Sequence, residues 1–251
     1  MNMISRISSA IFIFICLNLH AQIVKTDEGV ILKNIDENTI ALKIMVLSDN
    51  IIRVTAYHTE VIANSNNCMS SNFNKKNPFS LVVDNDKITI KTAALKVFVN
   101  LKSGKVLFND KDIKPLLSEG ERIYKPYKEV VENSWSTQQE FKWAIDEILY
   151  GINANKNIPQ NLKGGKVELD TQKSDGMSPL ILSSKGYGIL WNSKSVSYVY
   201  NDHDISYIWS EQAKQIDYYF LYGPSSEDIA ISYCKLTGKT ITMPKLAQLN
   251  F

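Results

Sequence analysis

From Ile23 to Val131 apolar and polar side chains alternate with a period close to two, the spacing that sends successive residues to opposite faces of a strand. Thr39–Leu47 and Asn50–Tyr57 read as strands on either side of a Ser-Asp-Asn turn, and Ser80–Val83, Lys87–Thr92, Leu95–Asn100 and Lys105–Phe108 follow. Their separators, among them Asp84-Asn85-Asp86 and Lys102-Ser103-Gly104, are turn-forming residues. The second half continues the pattern with Glu140–Ile145, Ile148–Gly151, Lys166–Leu169, Pro179–Trp191, Ser197–Tyr200, Ile205–Trp209 and Gln215–Tyr222. Val, Ile, Phe and Thr fill these runs, which suits a pleated, half-buried surface.

One helix interrupts the pattern. Gly223-Pro224-Ser225 stops the last strand, Ser225 and Asp228 have the spacing of a capping box, and Ile229, Tyr233 and Leu236 share one face before Gly238. Closely spaced strands with short turns and no intervening helical period predict an all-β fold. The expected architecture is one antiparallel β-sandwich over residues 22–243, with a single short C-terminal helix.

The stretch Asp146–Ser195 breaks the rhythm. Strand-like pieces at Ile148–Gly151 and Pro179–Trp191 flank a polar, glycine-bearing segment, and loops longer than about 12–15 residues inside a compact domain are usually functional or disordered. Asn161, Lys163 and Asp175 on this segment are candidates for hydrogen-bonding sugar hydroxyls, against the alternative of a solvated loop. Tyr187 and Trp191, beside Gly186 and Gly188, read either as a sugar platform or as core residues around a tight turn. Asn64–Asn77 is a polar surface loop.

Charge narrows the partners. The 251 residues carry 28 basic and 26 acidic side chains, a formal net charge of +2, with no Lys/Arg block to follow a phosphate backbone, so nucleic acid is not an expected partner. Arg6, the apolar run Ala10–Leu19 and His20-Ala21-Gln22 form the pattern of a cleaved signal peptide over residues 1–21. Its apolar run is well short of the roughly 20 residues of a membrane span. Export to the periplasm or the outside of the cell is therefore expected, with no membrane attachment after cleavage. Cleavage removes Arg6 and Cys16, leaving Cys68 and Cys234, which an oxidising compartment would permit to bridge. No Cys/His spacing points to zinc, and no cofactor is expected. Asp202 and Asp204 flank His203, an arrangement that a short turn explains as well as a metal site does.

Several separated runs carry a resemblance. In order they are Asp146-Glu147-Ile148-Leu149-Tyr150-Gly151, Asn161-Leu162-Lys163-Gly164, Val167-Glu168-Leu169, Pro179–Asn192, Asp217–Gly223, Leu236-Thr237-Gly238-Lys239 and Met243-Pro244-Lys245. Together, over nearly the whole chain past residue 21, they resemble the N-terminal β-sandwich of family 31 glycoside hydrolases, the α-glucosidase and α-xylosidase group. The resemblance implies a galactose-mutarotase-like sandwich that packs beside a (β/α)8 barrel and lends one loop to the rim of its sugar pocket. Two barrel aspartates, a nucleophile and a general acid/base about 5–5.5 Å apart, do the retaining hydrolysis in that family. Residues 244–251 correspond to the linker towards the first barrel strand, so neither aspartate can be assigned here and no catalytic residue is expected.

Three functions remain open at this point. The chain reads as the non-catalytic N-terminal part of an exported α-glycosidase, or as a stand-alone carbohydrate-binding or accessory module for an α-linked oligosaccharide. A small sugar-converting enzyme using His58 or His203 with Glu168 is the third. A sandwich deprived of its barrel also implies an uncovered apolar face, hence a separately encoded barrel as partner or self-association.

Overall fold

The computed structural model describes residues 21–60, 77–127, 134–153, 159–162, 164–169, 177–202 and 205–238. In chain order the strands of the first half are β1 (Gln22–Thr26), β2 (Gly29–Lys33), β3 (Ala41–Ser48), β4 (Ile51–Tyr57), β5 (Ser80–Asp84), β6 (Lys87–Lys91), β7 (Leu95–Asn100), β8 (Val106–Asp110) and β9 (Pro115–Pro126). Those of the second half are β10 (Trp135–Lys142), β11 (Leu149–Asn153), β12 (Pro159–Asn161), β13 (Gly165–Leu169), β14 (Met177–Ser183), β15 (Tyr187–Trp191), β16 (Ser197–Asn201), β17 (Ser206–Ala213) and β18 (Gln215–Tyr222). A single helix, α1 (Ser226–Thr237), follows among the described residues.

Hydrogen bonds connect all these strands into one continuous path, but one link is thin. β13 and β14 meet only at the parallel pair Leu169 with Met177. Divided there, the path becomes two antiparallel sheets. The first runs β1-β2-β3-β4-β18-β15-β14-β11-β12. The second runs β5-β6-β7-β8-β9-β10-β17-β16-β13. This is the antiparallel sandwich that the spacing of the strands predicts.

The main core lies between the sheets. Leu42, Ile44, Ile52 and Val54 of the first meet Ile88, Val97 and Phe108 of the second, all fully buried. Aromatic rings stitch the layers: Phe108 stacks on Phe220 with ring centres 4.1 Å apart, and Phe141 meets Tyr218 edge-on at 5.3 Å. Such pairs add about 0.5–1.5 kcal/mol beyond the area they bury. The alternate residues of the first sheet, including Met45, Leu180, Tyr219 and Leu221, face outward and are covered by Ile229, Tyr233 and Leu236 of α1. The helix begins where the capping pattern places it. Ser225 Oγ accepts from the Asp228 N–H at 3.2 Å, the Asp228 carboxylate accepts from the Ser225 N–H at 3.3 Å, and Gly238 closes the helix at φ 69°.

Four details differ from the expectation. Pro179–Trp191 is two strands, because Gly186 at φ 78° turns the chain between β14 and β15. The polar segment after β11 is crossed by a further short strand, β12, which pairs with β11, whereas the expected strand at Lys166–Leu169 is present as β13 and pairs with β16. The strand expected at Glu140–Ile145 starts earlier, at Trp135, and ends at Lys142. β9 has no counterpart in the expected strands. Most of the Asn64–Asn77 loop, Cys68, Lys163, Asp175, His203 and Asp204 lie outside the described residues.

Candidate functional site

At one end of the sandwich the turn Trp143–Glu147 leads from β10 into β11. Together with Gly164, Asn201, Asp202 and Ser206 it encloses a polar cleft of about 60 Å3. Ligand pockets generally begin at roughly 300 Å3, so this space suits a few waters rather than a sugar ring. Exposed Ile145 stands at its rim.

Glu147 organises the cleft. Its carboxylate is buried, with Oε1 accepting from Ser183 Oγ at 2.5 Å and from the Tyr187 hydroxyl, and Oε2 accepting from the Ala144 N–H at 3.0 Å. The Glu147 N–H returns a bond to the Ala144 carbonyl at 3.0 Å, closing the turn on itself. Ser184 Oγ accepts from the Ile148 N–H at 3.0 Å, which ties the same turn to the end of β14. Burial, then the Glu147 charge and hydrogen bond, hold the Tyr187 hydroxyl well above the usual phenol range. Trp143 stacks on Phe141 at 5.6 Å. Its buried Nε1 makes no hydrogen bond, although it is close enough to the Tyr187 hydroxyl to ease that group's ionisation slightly.

With both oxygens of Glu147 already accepting and the Tyr187 phenol kept neutral, this cluster is a clamp, not an acid/base pair. It fixes β11 against β14 and β15 at the point where the polar segment departs. Glu147→Gln puts an amide donor against either the Ala144 N–H or the two hydroxyl donors. It is therefore expected to destabilise the fold by about 1–3 kcal/mol, read from urea unfolding followed by tryptophan fluorescence. A change under about 0.5 kcal/mol, the range of ordinary surface substitutions, would show that the carboxylate does not hold the turn.

The candidates named from the sequence separate in space. Asn161 is exposed on β12, opposite Tyr150 of β11; Lys163 and Asp175 are outside the described residues. Tyr187 and Trp191 are core residues, 1% and 3% exposed, and offer no sugar platform. His58 stacks on Tyr124 at 5.0 Å and meets Trp135 edge-on, whereas Glu168 stands in β13 opposite Tyr198. The structure does not bring His58 and Glu168 into an acid/base pair. Among the described residues no group of three or more His, Cys, Asp and Glu is placed to hold a metal ion. Glu147 itself was visible only as part of a longer run. The usable signal was Ser183, an inward-facing hydroxyl in an apolar strand, since a buried polar group needs a partner.

Comparison with known proteins finds partial relatives among family 31 glycoside-processing enzymes. No family model matches it. An α-xylosidase from Saccharolobus solfataricus is 28% identical over 216 residues, which covers 82% of this chain and 29% of that protein. An uncharacterised family 31 glucosidase from Pseudescherichia vulneris is 28% identical over 136 residues, 54% of this chain and 25% of its own length. Among solved structures, the Xanthomonas citri α-xylosidase of the same family superposes with a TM-score of 0.72 at 18% identity, over 89% of this chain and 41% of the other. A Flavobacterium johnsoniae dextranase of that family gives 0.68 at 19% identity, over 90% and 29%. This chain thus spans less than a third of the length of either curated relative.

Proposed function

We propose that this chain, a relative of the family 31 glycoside hydrolases that matches their N-terminal β-sandwich, is the non-catalytic sandwich part of an exported α-glycosidase acting on α-xylosides or α-glucosides. The observation that carries this reading is the coverage: 82% of the chain aligns with only 29% of an α-xylosidase. The glycosidic chemistry then belongs to the remaining length of such enzymes, which this chain does not match. The site described above supports it, because Glu147 is spent on holding the fold. On this reading the sandwich steadies a (β/α)8 barrel and presents the segment around Asn161 to its rim. Export rests on the leader pattern of residues 1–21.

The test is reconstitution. The purified chain is assayed on p-nitrophenyl α-xyloside and α-glucoside, alone and co-expressed with the catalytic barrel of a family 31 α-xylosidase. No turnover alone, with co-purification and turnover when the barrel is present, is the expected result. Turnover by the chain alone overturns the reading.

A further inference from the structure

The outer face of the second sheet carries an aromatic strip. Register aligns Glu168, Tyr198, Trp209 and Gln138 in one row across β13, β16, β17 and β10. Lys166, Tyr200, Tyr207 and Glu140 form the adjacent row. Between them Val199, Ile208 and Gln139 point into the core, so both rows face away from it.

The four central residues of these rows are aromatic and only half-buried. Tyr200 and Tyr207 stack with ring centres 5.2 Å apart, and Tyr198 leans on Trp209 at 5.7 Å. Lys166 Nζ sits 4.0 Å over the Tyr198 ring. The Trp209 Nε1–H donates to Ser136 Oγ at 2.9 Å, and the Tyr200 hydroxyl donates to Asp202 at 3.2 Å. The rings are therefore held in place before any ligand arrives, and rigid aromatic side chains lose little entropy on binding.

We propose that this aromatic strip is a glycan-binding surface. A neutral α-linked chain lies along the two rows, with sugar C–H faces against Trp209 and Tyr207 and hydroxyls bonding to Gln138 and Glu140. Charge selects the occupant. The two rows hold one cation, Lys166, against two carboxylates, Glu168 and Glu140, whereas single-stranded nucleic acid needs a basic groove beside its stacking rings. Size argues against a protein. Four strands about 4.8 Å apart give a strip roughly 14 Å long and two residues wide, far below the roughly 800 Å2 per partner of a stable protein interface. The α-linkage alone rests on the function proposed above; the surface itself is separate from the cleft at Glu147 and from Asn161.

The test is native affinity electrophoresis of the chain in gels containing dextran, soluble starch or pullulan. Retardation by at least one of them is expected, and Trp209→Ala and Tyr207→Ala should each weaken it roughly tenfold, the scale of a buried aromatic contact. Hydrogen exchange on the unaltered chain guards against a misfolded variant: amides of β16 and β17 should gain protection when the retarding glycan is added. No retardation by any of the three overturns the proposal, as does binding that both variants keep in full. Self-association that Trp209→Ala abolishes, without glycan binding, also overturns it and makes the face a protein contact. The assay needs no barrel, so its outcome is independent of the reconstitution experiment.

Discussion

Replacing Arg122 by leucine is expected to remove about 3–5 kcal/mol of stability, the scale at which breaking a buried ion pair leaves a charge without its partner. Arg122 and Glu119 both belong to β9 and face the interior between the two sheets, with side chains 3% and 0% exposed. The Glu119 carboxylate accepts from an Arg122 Nη2–H, from the Val106 N–H at 2.6 Å and from the Tyr218 hydroxyl of the opposite sheet at 2.8 Å. Arg122 also donates to Gln139 Oε1 at 3.0 Å and to the Gly104 carbonyl at 3.1 Å. Burial alone would lower the guanidinium pKa, but the Glu119 charge and hydrogen bond raise it above the usual value. In the leucine variant Glu119 keeps two neutral donors but loses its counter-charge in a place that water does not reach.

Since domains of this kind have roughly 5–15 kcal/mol in total, the variant should sit close to the unfolding threshold. The midpoint of urea unfolding should fall steeply with its slope unchanged. Leucine at both positions should recover part of the loss, because an apolar pair of similar volume removes the stranded charge. The recovery stays partial: the Val106 N–H and the Tyr218 hydroxyl then lack an acceptor. A single-variant loss below about 1 kcal/mol, the scale of an exposed ion pair, would mean that water screens the pair, and would contradict its burial.

The same pair explains what was legible in the sequence. Strands whose inner rows are purely aliphatic, such as β3, β4, β6 and β7, follow from alternation within a residue or two. β9 does not, because Ser118-Glu119-Gly120-Glu121-Arg122 looks like a solvated turn until Glu119 and Arg122 pair with each other inside the fold and bond to neutral groups of the neighbouring strands. β12 escapes for a related reason. Pro-Gln-Asn has no strand pattern of its own and pairs because β11 offers an edge. The helix was legible to its caps, since capping is local chemistry. The aromatic strip was not. Tyr198 and Tyr200 alternate visibly with Ser197 and Val199, yet hydrophobicity alone would turn the rings inward. Here Ser197 goes inside and bonds Ser210 Oγ at 2.7 Å, which in turn accepts from the Trp191 Nε1–H at 2.9 Å, leaving the rings outside. Which face a strand presents is decided by its neighbours, and no single strand records them. Of the loop candidates, Asn161 alone can be placed, and its exposure on β12 is compatible with a contact to something outside this chain.

Alkaline pH should unfold this protein cooperatively, and the steepness of that transition is the second large effect the structure predicts. Tyr57, Tyr124, Tyr187 and Tyr218 are each buried, at most 7% exposed. Burial is the leading cause in every case, with the charges of Asp217, Glu119 or Glu147 adding to it. Tyr57 is pushed up to about 12, and the other three are held above the ordinary phenol value of 10. The folded state therefore keeps protons that the unfolded chain has already released, so stability is fully present below about pH 10 and falls as pH rises beyond it. Each such tyrosine contributes a limiting slope of roughly 1.4 kcal/mol per pH unit, and because the unfolded phenols are only half ionised at pH 10, four together cost roughly 4 kcal/mol between pH 10 and 11. Against a total of roughly 5–15 kcal/mol, unfolding is expected between about pH 11 and 12. Phenolate absorbance followed beside far-ultraviolet circular dichroism checks this. The phenolate signals of Tyr57, Tyr124, Tyr187 and Tyr218 should appear only as the β signal collapses. One smooth titration near pH 10 with the sheets intact would show that these hydroxyls are solvated. Tyr57→Phe supplies the control, since it deletes one retained proton and should flatten the loss of stability by roughly 1.4 kcal/mol per pH unit.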